Sequence, residues 1–185
     1  MQPSLVATVL VASSTLATTA FAVDYLSADQ AQKLLLPAAT QWQDKKVALS
    51  AEQLTAVGKL AGLTARSAAW TVNHGLDAQG RYAGSVVIDQ VIGKFELITY
   101  AVGIDTRGAI TGVEILSYRE SHGAEIRLPA WRKQFVGKTL AQAIKTGDDI
   151  ALISGATLSC NHVTDGVRRI AAVLAVLRES GQLPA

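Results

Sequence analysis

Apolar positions fall in three blocks along the chain: two short helical patterns, a run of strands, and a second helical part. Val163, Val167, Ile170, Leu174 and Leu177 recur at steps of four, three, four and three residues, which predicts one apolar stripe on a helix from Asn161 to Leu177. Gly181 and Pro184 mark its end, and Arg168, Arg169 and Arg178 are expected to point away from the stripe. Near the start of the chain, Ser27 is placed to cap a helix that runs through Leu34, Leu35 and Leu36 to Pro37. Ser50-x-x-Gln53 is a capping box for another helix, with Leu54, Val57, Leu60 and Ala61 on one face and Gly62 as its stop.

Between these blocks the period changes. Ala69 to Val72, Gly84 to Ile88 and Phe95 to Val102 read as strands. Asp105-Thr106-Arg107-Gly108 is a turn, and Ile110 to Tyr118 is the returning strand. On that strand Val113, Ile115 and Ser117 share one face, and Gly112, Glu114, Leu116 and Tyr118 the other. Short turns imply an antiparallel meander. Pro129 to Phe135 and Leu140 to Ile144 read as short helices, and Lys45-Lys46 as a solvated loop pair. The order helices, strands, helices predicts an α+β fold, a single domain with an antiparallel sheet flanked by helices.

Composition supports a packed core. Of 185 residues, 49% are apolar and 17% charged, which excludes a disordered chain. The 17 basic and 15 acidic residues leave a net charge of +2, so nothing in the charge balance calls for nucleic acid. Residues 1–22 hold no charged side chain and close on Ala20-Phe21-Ala22, a small-x-small site. They are expected to be an export signal cleaved after Ala22, leaving residues 23–185 as a periplasmic domain. Cys160 is the lone cysteine and is expected to be buried.

The chemically informative segment is Ile153-Ser154-Gly155-Ala156-Thr157-Leu158-Ser159-Cys160-Asn161, where an apolar strand-like run meets the long helix. Gly155 allows a backbone conformation that other residues avoid. The start of a helix offers unpaired N–H groups and partial positive charge, which suits a phosphate. The segment therefore reads as a phosphate site holding a hydroxyl. A plain cap, with Ser159 or Asn161 closing the helix and Gly155 turning the chain, accounts for the same residues.

Ser154-Gly155-Ala156-Thr157 resembles the flavinylation motif of the FMN-binding domain family, which includes FMN-carrying subunits of Rnf-type and sodium-pumping NADH:quinone oxidoreductase complexes. The likeness extends over most of the chain after the signal: Leu35 to Ala39, Asp89 to Lys94, Leu116 to Ile126, and Trp131-x-x-Gln134-Phe135-x-Gly137-Lys138 follow in family order. The resemblance implies that Thr157 bears FMN through a phosphoester made from FAD by a separate flavin transferase. It implies that Ser154, Gly155, Ala156, Leu158 and Ser159 shape the cradle. It also implies that Glu120, Ser121, His122, Gly123 and Ala124 lie along the ring. One position departs: the family often has Asp three residues before the Ser, where this chain has Ala151, with Asp148 and Asp149 the nearest acids. Many members also have Pro where this chain has His122.

The remaining candidates read as structural. Trp131 and Phe135 stand at helical spacing and are expected in the core; Trp42 and Trp70 at core or rim; His74 at a surface strand end. Glu120, His122, Cys160 and His162 could be imagined as metal ligands, but Cys160-x-His162 lacks the usual spacing, and no metal is expected. There is no Gly-x-Ser-x-Gly elbow, dinucleotide fingerprint or Walker loop. The expectation is an electron carrier more than a stand-alone enzyme, working with a membrane redox protein or cytochrome. The rivals are an accessory or assembly module with the fold but no flavin, and an NAD(P)H-using flavin reductase.

Overall fold

The computed structural model describes residues 25–184. The expected export signal and its cleavage site lie outside the described residues. In chain order the elements are α1 (Ala28–Leu35), β1 (Gln41–Ala48), α2 (Ala51–Ala61), β2 (Ala69–Leu76), β3 (Tyr82–Ile92), β4 (Leu97–Asp105), β5 (Ile110–Ser117), α3 (Pro129–Arg132) and α4 (Thr157–Glu179). The five strands form one antiparallel sheet in sequence order; β2 to β5 are the meander expected from the short turns, and β1 adds a strand through α2. The fold is α+β, as the block pattern implies. Among the described residues no helix is long and apolar enough to cross a membrane.

Local signals account for the first helices. Ser27 Oγ accepts from Gln30 N at 3.2 Å while Gln30 Oε1 accepts from Ser27 N at 2.8 Å. Ser50 and Gln53 repeat the arrangement at 3.3 and 2.9 Å, and α2 ends at Gly62. These reciprocal bonds satisfy amides that a helix start otherwise leaves unpaired.

The larger core lies between one sheet face and α2 and α4. The predicted stripe is its centre: Val163, Val167, Ile170, Leu174 and Leu177 are all buried, against Val72, Val102, Val113 and Ile115. Trp131 and Phe135 join this core with their rings edge to face at 5.2 Å. On the other face α1 sets Ala31, Leu35 and Leu36 against Val86, Ala101 and Leu116.

Several expectations are corrected. Lys45 and Lys46 belong to strand β1, not a loop. β1 pairs with β2 over its whole length but leaves both faces of its middle exposed, so it carries no alternation to read. Lys45 reaches across to the Gln182 carbonyl at 2.5 Å. Leu140 to Ile144 is not helical: Gln142 folds back on Thr139, and Ile144 sits buried at φ 43°, where a β-branched residue is strained. Asp149 holds that strained backbone by accepting from Ile144 N at 3.1 Å and Lys145 N at 2.7 Å. Tyr118 lies past the end of β5 and turns into the larger core, away from Leu116.

His74 is buried within β2, its Nδ1 3.1 Å from Ser85 Oγ, and is no surface residue. It continues the inward-facing series of Trp70 and Val72. Arg169 is buried as well, because α4 is covered by α2 and the sheet and hides far more than one stripe.

The two sheet margins differ. The outer side of β5 is covered: Tyr25 N bonds Leu116 O at 2.8 Å, Gly137 N bonds Ile110 O at 2.8 Å, and Arg132 Nη1 bonds Val113 O at 3.0 Å. β1 is the other margin.

Candidate functional site

Ile153 O accepts from Ala156 N at 3.0 Å, closing a tight turn over Ser154 and Gly155. Gly155 has φ 80°, which the third residue of a type II turn requires. The turn delivers the chain into α4 four residues earlier than the apolar stripe suggests. Ala156 is the N-cap and provides no side-chain cap; Thr157 is the first helical residue. The plain-cap reading therefore fails. Ser159 Oγ lies 3.3 Å from Tyr118 Oη, and Asn161 Oδ1 accepts from Thr146 Oγ1 at 2.5 Å. The first amides of α4 are left without a capping side chain, and Thr157 is exposed beside them.

Against this helix start lies the chain after β5. Tyr118 Oη donates to the His122 carbonyl, so the Ser159 hydroxyl is the donor of the second contact. One phenol thus ties the 120–124 segment to the first turn of α4. Burial, helped by the nearby Glu120 charge, pushes that phenol above its ordinary pKa and outweighs the Ser159 bond, which acts the other way. Gly123, at φ 84°, rests on Ala156, and a Cβ there would collide with the Ala156 Cβ.

Together these segments enclose a cavity of about 360 Å3 lined by Glu120, Ser121, His122, Gly155, Ala156, Thr157, Leu158 and Ser159, with Lys94 and Phe95 on the remaining wall. The volume suits a small-molecule site. Of the sequence-predicted residues, eight line it. Ser154 stands outside on the turn, Gly123 lies buried beneath, and Ala124 is exposed beyond it. The lining combines exposed apolar side chains (Phe95 at 70%, Leu158 at 44%) with hydroxyls and an uncapped helix start. A flat apolar ring bearing a phosphate meets complementary chemistry on such a surface.

Lys94 and Phe95 are functional candidates that sequence reasoning missed. Phe95 was expected to open a strand, but β4 begins at Leu97 and Phe95 sits in the preceding hairpin turn. Glu120 draws that turn to the site: its Oε1 accepts from Phe95 N at 2.6 Å and Glu96 N at 3.0 Å. Burial pushes the Glu120 carboxyl up, but these amides outweigh it and hold it below the ordinary value. The contact spans 25 residues in sequence, so no local pattern announces it.

The loop before the turn is pinned at Ala151. Trp131 Nε1 donates to Ala151 O at 2.8 Å, and Gln134 Oε1 accepts from Ala151 N at 2.8 Å. The nearby acids are engaged elsewhere: Asp149 with Lys138 at 2.9 Å and Asp148 with Lys145 at 3.2 Å. Cys160 is buried, and burial raises its thiol. Among the described residues no three His, Cys, Asp or Glu side chains gather as a metal site.

The family model of the FMN-binding domain matches residues 93–172. Over this stretch the chain is similar to the FMN-binding domain family, and FMN is the cofactor that this family indicates. Similar curated proteins are subunits of the ion-translocating oxidoreductase complexes of Aliivibrio fischeri and of Shewanella oneidensis. The first is 30% identical over 105 residues, covering 49% of this chain and 49% of that protein. The second is 32% identical over 96 residues, covering 46% and 44%. The alignments span about half the length of these relatives. The crystal structure of Shewanella oneidensis NqrC is similar in fold, with a TM-score of 0.53 and 17% identity, covering 81% of this chain and 97% of that one.

Proposed function

We propose that this chain is an exported flavoprotein that bears FMN on Thr157 and passes electrons between redox partners. The observation that carries the reading is the exposed Thr157 hydroxyl at an uncapped helix start, in the wall of a cavity shared with Glu120, Ser121 and His122. Attachment is a phosphoryl transfer. The Thr157 oxygen bonds to the phosphorus that bears riboflavin in FAD, the pyrophosphate bond breaks, AMP leaves, and the hydroxyl proton goes to solvent. The amides at the start of α4 stabilise the phosphate charge, and Gly155 and Ala156 leave room for it. Phe95 and Leu158 give apolar surface to the ring, while Ser121 and His122 offer hydrogen bonds at its edge. The bound flavin supplies the electron transfer; the protein sets its surroundings.

The partners of this reading are a flavin transferase, acting once, and a membrane redox protein or cytochrome, by analogy with the complexes named in the curated relatives. Outside the cytoplasm a covalent tether keeps the cofactor from being lost by dilution. The test is the intact mass of protein made in a host with the transferase. A yellow product heavier by FMN minus water is expected, beginning at Val23, and Thr157→Ala should lose the adduct. Colourless, unmodified protein overturns the reading.

One observation favours a non-flavinylated accessory module. Ala151 stands where the family often has Asp, and the nearest acids, Asp148 and Asp149, each pair with a lysine. Unmodified wild-type protein that still associates with a membrane redox complex would select this second reading.

A further inference from the structure

A second cavity flanks α4 and shares no lining residue with the first. It has a volume of about 280 Å3 and is lined by Arg66, Ile92, His162, Asp165 and Arg169. Arg169 is only 6% exposed, and a guanidinium keeps its charge when buried. Burial without a paired anion is costly, so such a group asks for negative charge. The protein provides it only at a distance, through the charges of Asp165 and Asp89, and not as a direct ion pair. Among the described residues Arg169 forms no ion pair; its Nε makes one long bond, to Thr64 O at 3.4 Å, and its two terminal nitrogens have no acceptor. The two nearest acids are engaged. Asp165 Oδ1 faces Arg168 Nη2 at 3.3 Å, and Asp89 Oδ2 accepts from Tyr100 Oη at 3.0 Å. Arg66 likewise has no hydrogen bond or ion pair among the described residues.

We propose that this cavity binds a small phosphate-class oxyanion between the Arg66 and Arg169 guanidiniums, with His162 on its rim. The local charge count favours an anion: the guanidiniums of Arg66, Arg168 and Arg169 stand against the two carboxylates of Asp89 and Asp165. Two planar forks and an imidazole match the several oxygens of a phosphate better than the two of a carboxylate. The imidazole is held in place. A carbonyl only accepts, so His162 Nδ1 carries the proton and donates it to Ile92 O at 2.6 Å, leaving Nε2 to accept from the hydroxyl of a hydrogen phosphate. The ion would discharge the buried Arg169 and join α4 to the loop that holds Arg66.

The experiment is calorimetric titration of the whole protein with inorganic phosphate, followed in parallel by NMR of the His162 ring and the Arg169 Nε–H. Saturable binding that shifts both signals is expected. Arg66→Gln, at an exposed position, should weaken it by about tenfold or more. Arg66→Lys, which keeps the charge but loses the fork, should fall between. Absence of saturable binding overturns the proposal. So does binding that leaves His162 and Arg169 unshifted, or that Arg66→Gln does not weaken. None of these outcomes depends on whether Thr157 bears flavin.

Discussion

Gly123 and Ala156 touch backbone to side chain, so that Gly123 has no room for another carbon. This contact seats the segment after β5 on the start of α4 and gives the main cavity its floor. Gly123→Ala meets two penalties: a left-handed backbone at φ 84°, and collisions with the Ala156 Cβ and the Tyr118 hydroxyl. The expected destabilisation is about 2–4 kcal/mol, the sum of a strained backbone and an overpacked contact. Urea unfolding measures it, and the flavin content per chain should fall with it.

Gly166 is a second forced position. It lies in the middle of α4 directly against the Tyr100 phenol, which is completely buried on β4. Helix propensity alone would make Gly166→Ala stabilising by about 1 kcal/mol. The collision with the phenol outweighs that gain, and a net loss of about 1–3 kcal/mol is expected. In a double-mutant cycle with Tyr100→Leu, which takes the ring away, the alanine should cease to be harmful; a cycle with no coupling would remove the steric explanation.

The loop before the Ser-Gly-Ala-Thr turn depends on two side chains from a neighbouring helical segment. Trp131→Phe keeps an aromatic ring against Phe135 but removes the donor to Ala151 O, and Gln134→Ala removes the acceptor for Ala151 N. Each should cost about 1 kcal/mol, the usual net value of such a bond. Hydrogen exchange at the Ala151 amide should accelerate in Gln134→Ala while the centre of α4 stays protected.

Stability should fall in mild acid because of His74. Burial, with the Lys45 charge beside it, holds its pKa below the ordinary 6.5. The unfolded chain therefore binds the proton more readily than the folded one. The contribution is fully present above pH 6.5 and is lost as the pH falls from there toward the folded pKa, with a slope of up to about 1.4 kcal/mol per pH unit. The depressed carboxylates Asp77 and Asp105 act in a separate window, below 3.8. Urea unfolding of wild type and His74→Gln between pH 7.5 and 5 separates the two, since the variant should lose the slope whatever its starting stability.

What a sequence discloses depends on whether the signal is local. The stripe on α4 was legible because one face meets the sheet at a helical period. Its true start was not, because Thr157 and Leu158 are exposed and Ala156 offers no cap. β1 was missed because exposure on both faces erased its alternation. Leu140 to Ile144 misled because apolar residues at helical spacing there fold as a turn fixed by Gln142 and Asp149. The segments around Thr157 and Glu120 were found by resemblance. Lys94 and Phe95 were not, since only the distant carboxylate of Glu120 brings their hairpin to the cavity.

The unequal margins of the sheet have a consequence for assembly. Growth by strand addition is barred beside Ile110 to Leu116, where other backbone and the Arg132 guanidinium already occupy the positions a newcomer would need. On the far flank the way is open, but an arriving chain must run alongside Asp44, Lys45 and Lys46, charges that deter all but a matched visitor. The molecule is thereby biased against stacking into filaments.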